Sequence, residues 1–155
     1  MQTRREMLSH SVKVAAMLAA VGLAPDMAQA QAAGYNGAAF AAKTLPEVMQ
    51  TLGAGTPVES KDVTITGPDI AENGAVVPIG AATTLPGVKR LLLLVEKNPA
   101  MLAAMFDVTD AIEANIATRV KMGQSSDVYA VAMMNDGKVL FARKEIKVTL
   151  GGCGG

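Results

Sequence analysis

The sequence has no tryptophan, one histidine and one cysteine, and aromatic residues make up only 3% of it. Each shortage excludes something. With so few rings, a core has to be assembled from Ala, Val, Leu, Ile and Met, and a hydrophobic content of 50% is ample for one domain. A lone cysteine cannot make a disulfide framework, which uses even counts; in an exported protein it marks a free thiol or an intermolecular bond. Formal net charge is zero and no basic run occurs beyond the N-terminus. Nucleic acid, which needs clustered Lys and Arg against its phosphates, is thereby excluded as a partner. No apolar run is long enough for a permanent membrane span, and no internal repeat is present.

The first thirty residues read as an export signal. Thr3-Arg4-Arg5-Glu6-Met7-Leu8 is a short basic segment and Val12 to Leu23 an Ala-rich apolar one. Ala28-Gln29-Ala30 offers small residues for cleavage, and Ala30-Gln31-Ala32 would serve as well. The paired arginines before Met7-Leu8 resemble a twin-arginine signal, with Met where Phe is usual and Ser where Lys is usual. We therefore expect residues 1–30 to be removed and the mature protein to be periplasmic. His10 leaves with them, so the mature chain has no imidazole for general-base work, for a Cys-His pair, or for a metal cluster. No metal and no cofactor are expected. Three basic and two acidic residues leave too, and the remaining 11 and 12 put the mature charge near −1.

Residues 31–57 form an N-terminal segment holding one predicted helix within Phe40 to Leu52. Thr44 is its cap, Glu47 completes a capping box, and Pro46 is tolerated in the first turn. Leu45, Val48, Met49 and Leu52 then share a face. Residues 58–150 carry about seven short strands separated by turn signals, which predicts a mainly β, immunoglobulin-like antiparallel sandwich. Four local expectations follow. Glu72-Asn73-Gly74 should make a tight turn with positive φ, and Pro78 should lie on an edge or bulged strand. The apolar change of phase across Arg143-Lys144, from odd positions (Val139, Phe141) to even ones (Ile146, Val148, Leu150), implies a bulge. Leu91 to Val95 is apolar on both faces, so its second face should meet either the helix or a second protein.

The chain closes on Gly151-Gly152-Cys153-Gly154-Gly155. Glycine has no Cβ, so this segment can take almost any backbone conformation and offers the thiol no cover. We expect residues 151–155 to be a flexible arm, with Cys153 standing roughly 10 Å beyond Leu150 when extended. A thiol so placed can accept a group and present it elsewhere, its activation coming from a partner's pocket. Other candidates are weaker. Asp69, Glu72, Asp107 and Asp110 sit in turn-like sequence where carboxylates are ordinarily solvated, and methionines at strand spacing fill cores.

The tail, with Lys144-Glu145-Ile146-Lys147-Val148-Thr149-Leu150 before it, resembles the SoxY family, the sulfur carriers of periplasmic thiosulfate oxidation. The similarity extends to Gly67-Pro68-Asp69-Ile70-Ala71-Glu72-Asn73-Gly74, Val77-Pro78-Ile79, Leu85-Pro86-Gly87, Leu94-Val95-Glu96-Lys97-Asn98-Pro99 and Lys121-Met122-Gly123-Gln124-Ser125-Ser126. The resemblance implies that Cys153 is the covalent sulfur attachment point and that Gly151, Gly152, Gly154 and Gly155 are the arm. It implies a heterodimer with a SoxZ-like subunit, an immunoglobulin-like protein exported as a passenger. It further implies transient visits to the haem enzyme SoxAX, the hydrolase SoxB and, in some systems, a sulfane dehydrogenase. The carrier is then a substrate-bearing partner and not an enzyme. The alternative is a structural subunit of an exported complex, cross-linked through Cys153. A stand-alone thiol peroxidase would need a resolving cysteine, and a C-terminal thiocarboxylate would need ATP.

Overall fold

A computed structural model describes residues 36–150. The expected signal peptide at 1–30, residues 31–35 and the arm at 151–155 lie outside the described residues.

Among the described residues two short helices come first, α1 (Gly37–Ala41) and α2 (Leu45–Thr51). The single expected helix is parted at Ala42 to Thr44, because Thr44 is extended (φ −130°, ψ 152°) and acts as a cap. Its Oγ1 accepts from the Glu47 N–H at 3.4 Å, while the Glu47 carboxylate accepts from the Lys43 N–H at 2.9 Å. The reciprocal pair of a capping box is present, reaching one residue further back than usual. Val48 and Met49 are buried as expected, with Leu45 and Leu52 packed beside them.

Nine strands follow: β1 (Val58–Glu59), β2 (Val63–Thr66), β3 (Ile70–Asn73), β4 (Val77–Thr83), β5 (Val88–Val95), β6 (Leu102–Asp107), β7 (Asn115–Val120), β8 (Ser126–Met134) and β9 (Val139–Leu150). The larger sheet runs β1-β9-β8-β5-β6, with β3 also on β9, and the smaller runs β2-β4-β7. Both short additions, β1 and β3, pair with β9 in parallel; the rest is antiparallel. Gly137, at φ +87°, supplies the positive φ that turns β8 into β9.

The four-leucine run is buried on both faces. Leu91, Leu93 and Val95 pack between the sheets with Val77, Ile79, Val128 and Ile146. Leu92 and Leu94 pack on the opposite face with Val48 and Met49 of α2. The helices cover that face, and no second protein is needed to explain it.

The expected bulge at Arg143-Lys144 is absent. β9 stays in register with β8 from Met133↔Val139 to Ser126↔Ile146 without a shift. The apolar phase changes because the covering changes. Val139 and Phe141 point to the helix layer, whereas Leu140, Ala142, Ile146 and Val148 point between the sheets. Beyond the helices the odd positions Arg143, Glu145 and Lys147 are exposed, Arg143 beside Asp127 at 3.5 Å.

Two further expectations, one of a turn and one of a strand, are also corrected. Gly74 does not have positive φ, and no hairpin forms there. Asn73 instead accepts from the Ala75 N–H through its side chain at 2.9 Å, an Asx turn that carries the chain from β3, on the larger sheet, to β4 in the smaller one. Pro78 lies on the central strand of the smaller sheet, without a bulge. It is tolerated because β2 stops pairing at Thr66↔Gly80, so the strand is locally an edge at residue 78.

Candidate functional site

Cys153 and its four glycines lie outside the described residues. The structure instead shows how the segment they follow is held. Along β9, Ile146 is fully buried, Val148 half-buried and Leu150 exposed, so the inward-facing column runs out of the sandwich into solvent.

That last turn of strand is gripped from both sides. On one side β3 runs parallel, in register at Ile70↔Lys147 and Asn73↔Leu150. The Lys147 N–H donates to the Asp69 carbonyl at 3.0 Å and the Gly74 N–H to the Leu150 carbonyl at 2.7 Å. Thr149 Oγ1 adds a bond to the Glu72 carbonyl at 3.0 Å. On the other side Ser125 Oγ accepts from the Val148 N–H at 2.9 Å. A side chain thus substitutes for the strand neighbour that β8, beginning at Ser126, no longer provides.

The loop that carries Ser125 is itself tied down. Asn98 donates from Nδ2 to the Lys121 carbonyl at 2.7 Å and accepts from the Gly123 N–H at 3.3 Å. The Met122 N–H donates to the Gly74 carbonyl at 2.7 Å. Ser126, buried to 2% exposure, accepts from the Lys97 N–H at 3.0 Å and donates to the Asp127 carbonyl at 2.9 Å. Among the described residues no buried side-chain nitrogen or oxygen is left without a partner, as expected of a polar network that fixes its backbone.

One charge pair belongs to the same end. Lys144 occupies an inward-facing position of β9, and its Nζ reaches the rim, 2.7 Å from the Gly67 carbonyl and 2.8 Å from Asp69 Oδ1. The ammonium's hydrogen bond, and then its charge, hold the Asp69 carboxyl below its ordinary value. Glu72 contributes only its backbone here, and Asp107 pairs with Arg90 at 2.6 Å on the opposite end of β5. Asp110 lines a separate cleft of about 740 Å³ beside Leu85-Pro86-Gly87. The four carboxylates are not brought together. Among the described residues no group of three His, Cys, Asp or Glu could hold a metal ion.

Thus three separate sequence stretches, 67–74, 94–99 and 121–126, converge on the strand end that precedes Cys153. The family resemblance rests on these same stretches, and their packing around the end of β9 is what the fold adds. Asn98 and Ser125 carried no local signal, since each acts on a segment more than twenty residues away.

The family model for the sulfur oxidation protein SoxY matches residues 48–153. Among solved structures, the sulfur carrier protein SoxY from Chlorobium limicola f thiosulfatophilum is 30% identical with a TM-score of 0.62, covering 70% of this chain and 97% of that one. The superoxide reductase (neelaredoxin) of Ignicoccus hospitalis is similar in fold, at 20% identity and a TM-score of 0.50, over 56% of this chain and 79% of its own. Among proteins of curated function none matches.

Proposed function

The chain belongs to the SoxY family of sulfur oxidation proteins, and from that premise we propose that it carries thiosulfate-derived sulfur covalently on Cys153. The observation that carries this reading is the family match itself, which runs through residue 153 and so takes in the chain's lone thiol.

The chemistry needs two steps, neither catalysed by this chain. In the first, the Cys153 thiolate and the outer sulfur of thiosulfate form an S–S bond. Two electrons leave to a haem enzyme of the SoxAX kind, and Cys–S–S–SO₃⁻ results. In the second, a SoxB-like hydrolase adds water across the S–SO₃ bond. Sulfate and two protons are released and Cys–S–S⁻ remains, with no net electron transfer. Each step takes place in another protein's pocket, which an uncovered thiol on a glycine arm is suited to reach. The covalent tether keeps the sulfur at high effective concentration and stops the persulfide escaping.

The same reading places the protein in the periplasm after export by the twin-arginine-type signal at 1–30. It gives it a SoxZ-like β-sandwich subunit as a stable partner. Intact-mass measurement of the protein from cells grown on thiosulfate tests the carrier role. Added sulfur or thiosulfonate mass on Cys153 is expected, and a bare thiol or an ordinary disulfide under those conditions would refute it. Cys153→Ser should assemble normally and abolish turnover; weakened assembly would favour a cross-linking role.

A further inference from the structure

The sandwich is open along one side. β6 ends the larger sheet and β7 ends the smaller, and each is paired on one side only, β6 with β5 and β7 with β4. Between them lies a groove of about 470 Å³, its apolar wall formed by Ala103, Ala104 and Val120. β6 carries no charged residue from Leu102 to Phe106. Edge strands left without charge, proline or cover are templates for strand pairing, and proteins ordinarily blunt them. Among the described residues β6 is blunted at its ends, by a register shift near its start and by Asp107 at its close, and the stretch between is left open.

Charge along the groove has one sign. Its charged residues are Arg119 and Lys121, both exposed. Among the described residues neither takes part in an ion pair. The far cleft, by contrast, mixes Lys61 with Asp62, Asp110 and Glu113.

We propose that this groove docks the edge strand of a second β-sheet protein, which extends the larger sheet at β6 and sets carboxylates against Arg119 and Lys121. A second copy of this chain fits poorly, because a two-fold contact brings the same two cations against themselves. The inference rests on the partnership proposed above and adds the face it uses.

The test co-expresses the full chain with the SoxZ-like subunit and compares wild type, the double variant Arg119→Glu/Lys121→Glu, and Lys61→Glu in the far cleft. Circular dichroism checks that each variant is folded; all three positions are exposed. The double reversal should weaken association by at least ~10-fold, and Lys61→Glu should leave it unchanged. In the wild-type complex the amides of Leu102 to Phe106 should exchange more slowly than in the free chain. Tight binding by the double variant, or no gain in protection along β6, overturns the face while leaving the partnership standing. A homodimer dissolved by the same reversal overturns the choice of partner. Absence of any complex with the wild-type chain overturns the partnership and the face together.

Discussion

Ser125 Oγ accepts from the Val148 N–H at 2.9 Å across 23 residues of sequence, closing the side of β9 that β8 leaves open. Thr149 makes the matching bond on the other side, to the Glu72 carbonyl, but in exposed surroundings. The two should therefore differ in cost. Ser125→Ala strands a part-buried donor and should destabilise by ~1–3 kcal/mol, whereas Thr149→Val should cost about 0.5–1 kcal/mol. Urea unfolding measures both, and hydrogen exchange at Val148 should accelerate in the first variant alone. Equal costs would mean that water replaces the serine freely.

The helix layer over β5 makes a second expectation. Leu92 is fully buried against the cluster that contains Val48 and Met49. Leu92→Ala in the isolated chain should lose ~2–5 kcal/mol, the cost of a buried cavity. Were this face open until a partner covered it, the same change would fall within the ~0.5 kcal/mol usual for surface sites. Denaturation of the isolated chain separates the two.

These same leucines show what was legible in the sequence. The run Leu91-Leu92-Leu93-Leu94-Val95 announces a strand buried on both faces, but the identity of the cover depends on where α2 packs, which periodicity does not encode. The Arg143-Lys144 phase change was visible too, and its cause was hidden for the same reason: one straight strand passes under two different covers. Thr44 and Glu47 were readable because a cap is a local device. Asn98 and Ser125, which hold the root of the arm, were not, because their partners are brought near only by the finished fold. Lys144 was hardest to read, a charged side chain at an inward-facing position whose acceptors lie 77 and 75 residues away in sequence.

Gly80 is required by a close approach and not by its φ. A Cβ there would stand 2.6 Å from Thr66 Oγ1 and 2.8 Å from the Ile116 carbonyl oxygen, where β4 is held between β2 and β7. Gly80→Ala should destabilise by ~1–3 kcal/mol through overpacking. Adding Thr66→Ala should recover only part of that, since the backbone oxygen of Ile116 cannot be removed. Full recovery in the double variant, read by thermal or urea unfolding, would show that β7 yields.

Asp69 and Lys144 give the arm's root a pH dependence whose sign is fixed. Lys144 holds the Asp69 carboxyl below its ordinary 3.8 in the folded protein. A depressed carboxylate pKa contributes stability that is fully present above the unfolded value and disappears as pH falls through the folded one. The contribution is therefore constant at neutral pH and fades only in acid, below about 3.8. Because the Asp69 side chain is 90% exposed, solvent screens the pair and global stability is a poor readout. The titration midpoint is the better one. By NMR, the Asp69 carboxyl should titrate below 3.8 in the wild type and return toward it in Lys144→Met, with high salt moving the wild type the same way. A midpoint that Lys144→Met does not move would mean that the bridge between β9 and the 67–69 turn does not hold in solution. The root would then be held by its backbone bonds and by Ser125 and Thr149 without help from charge.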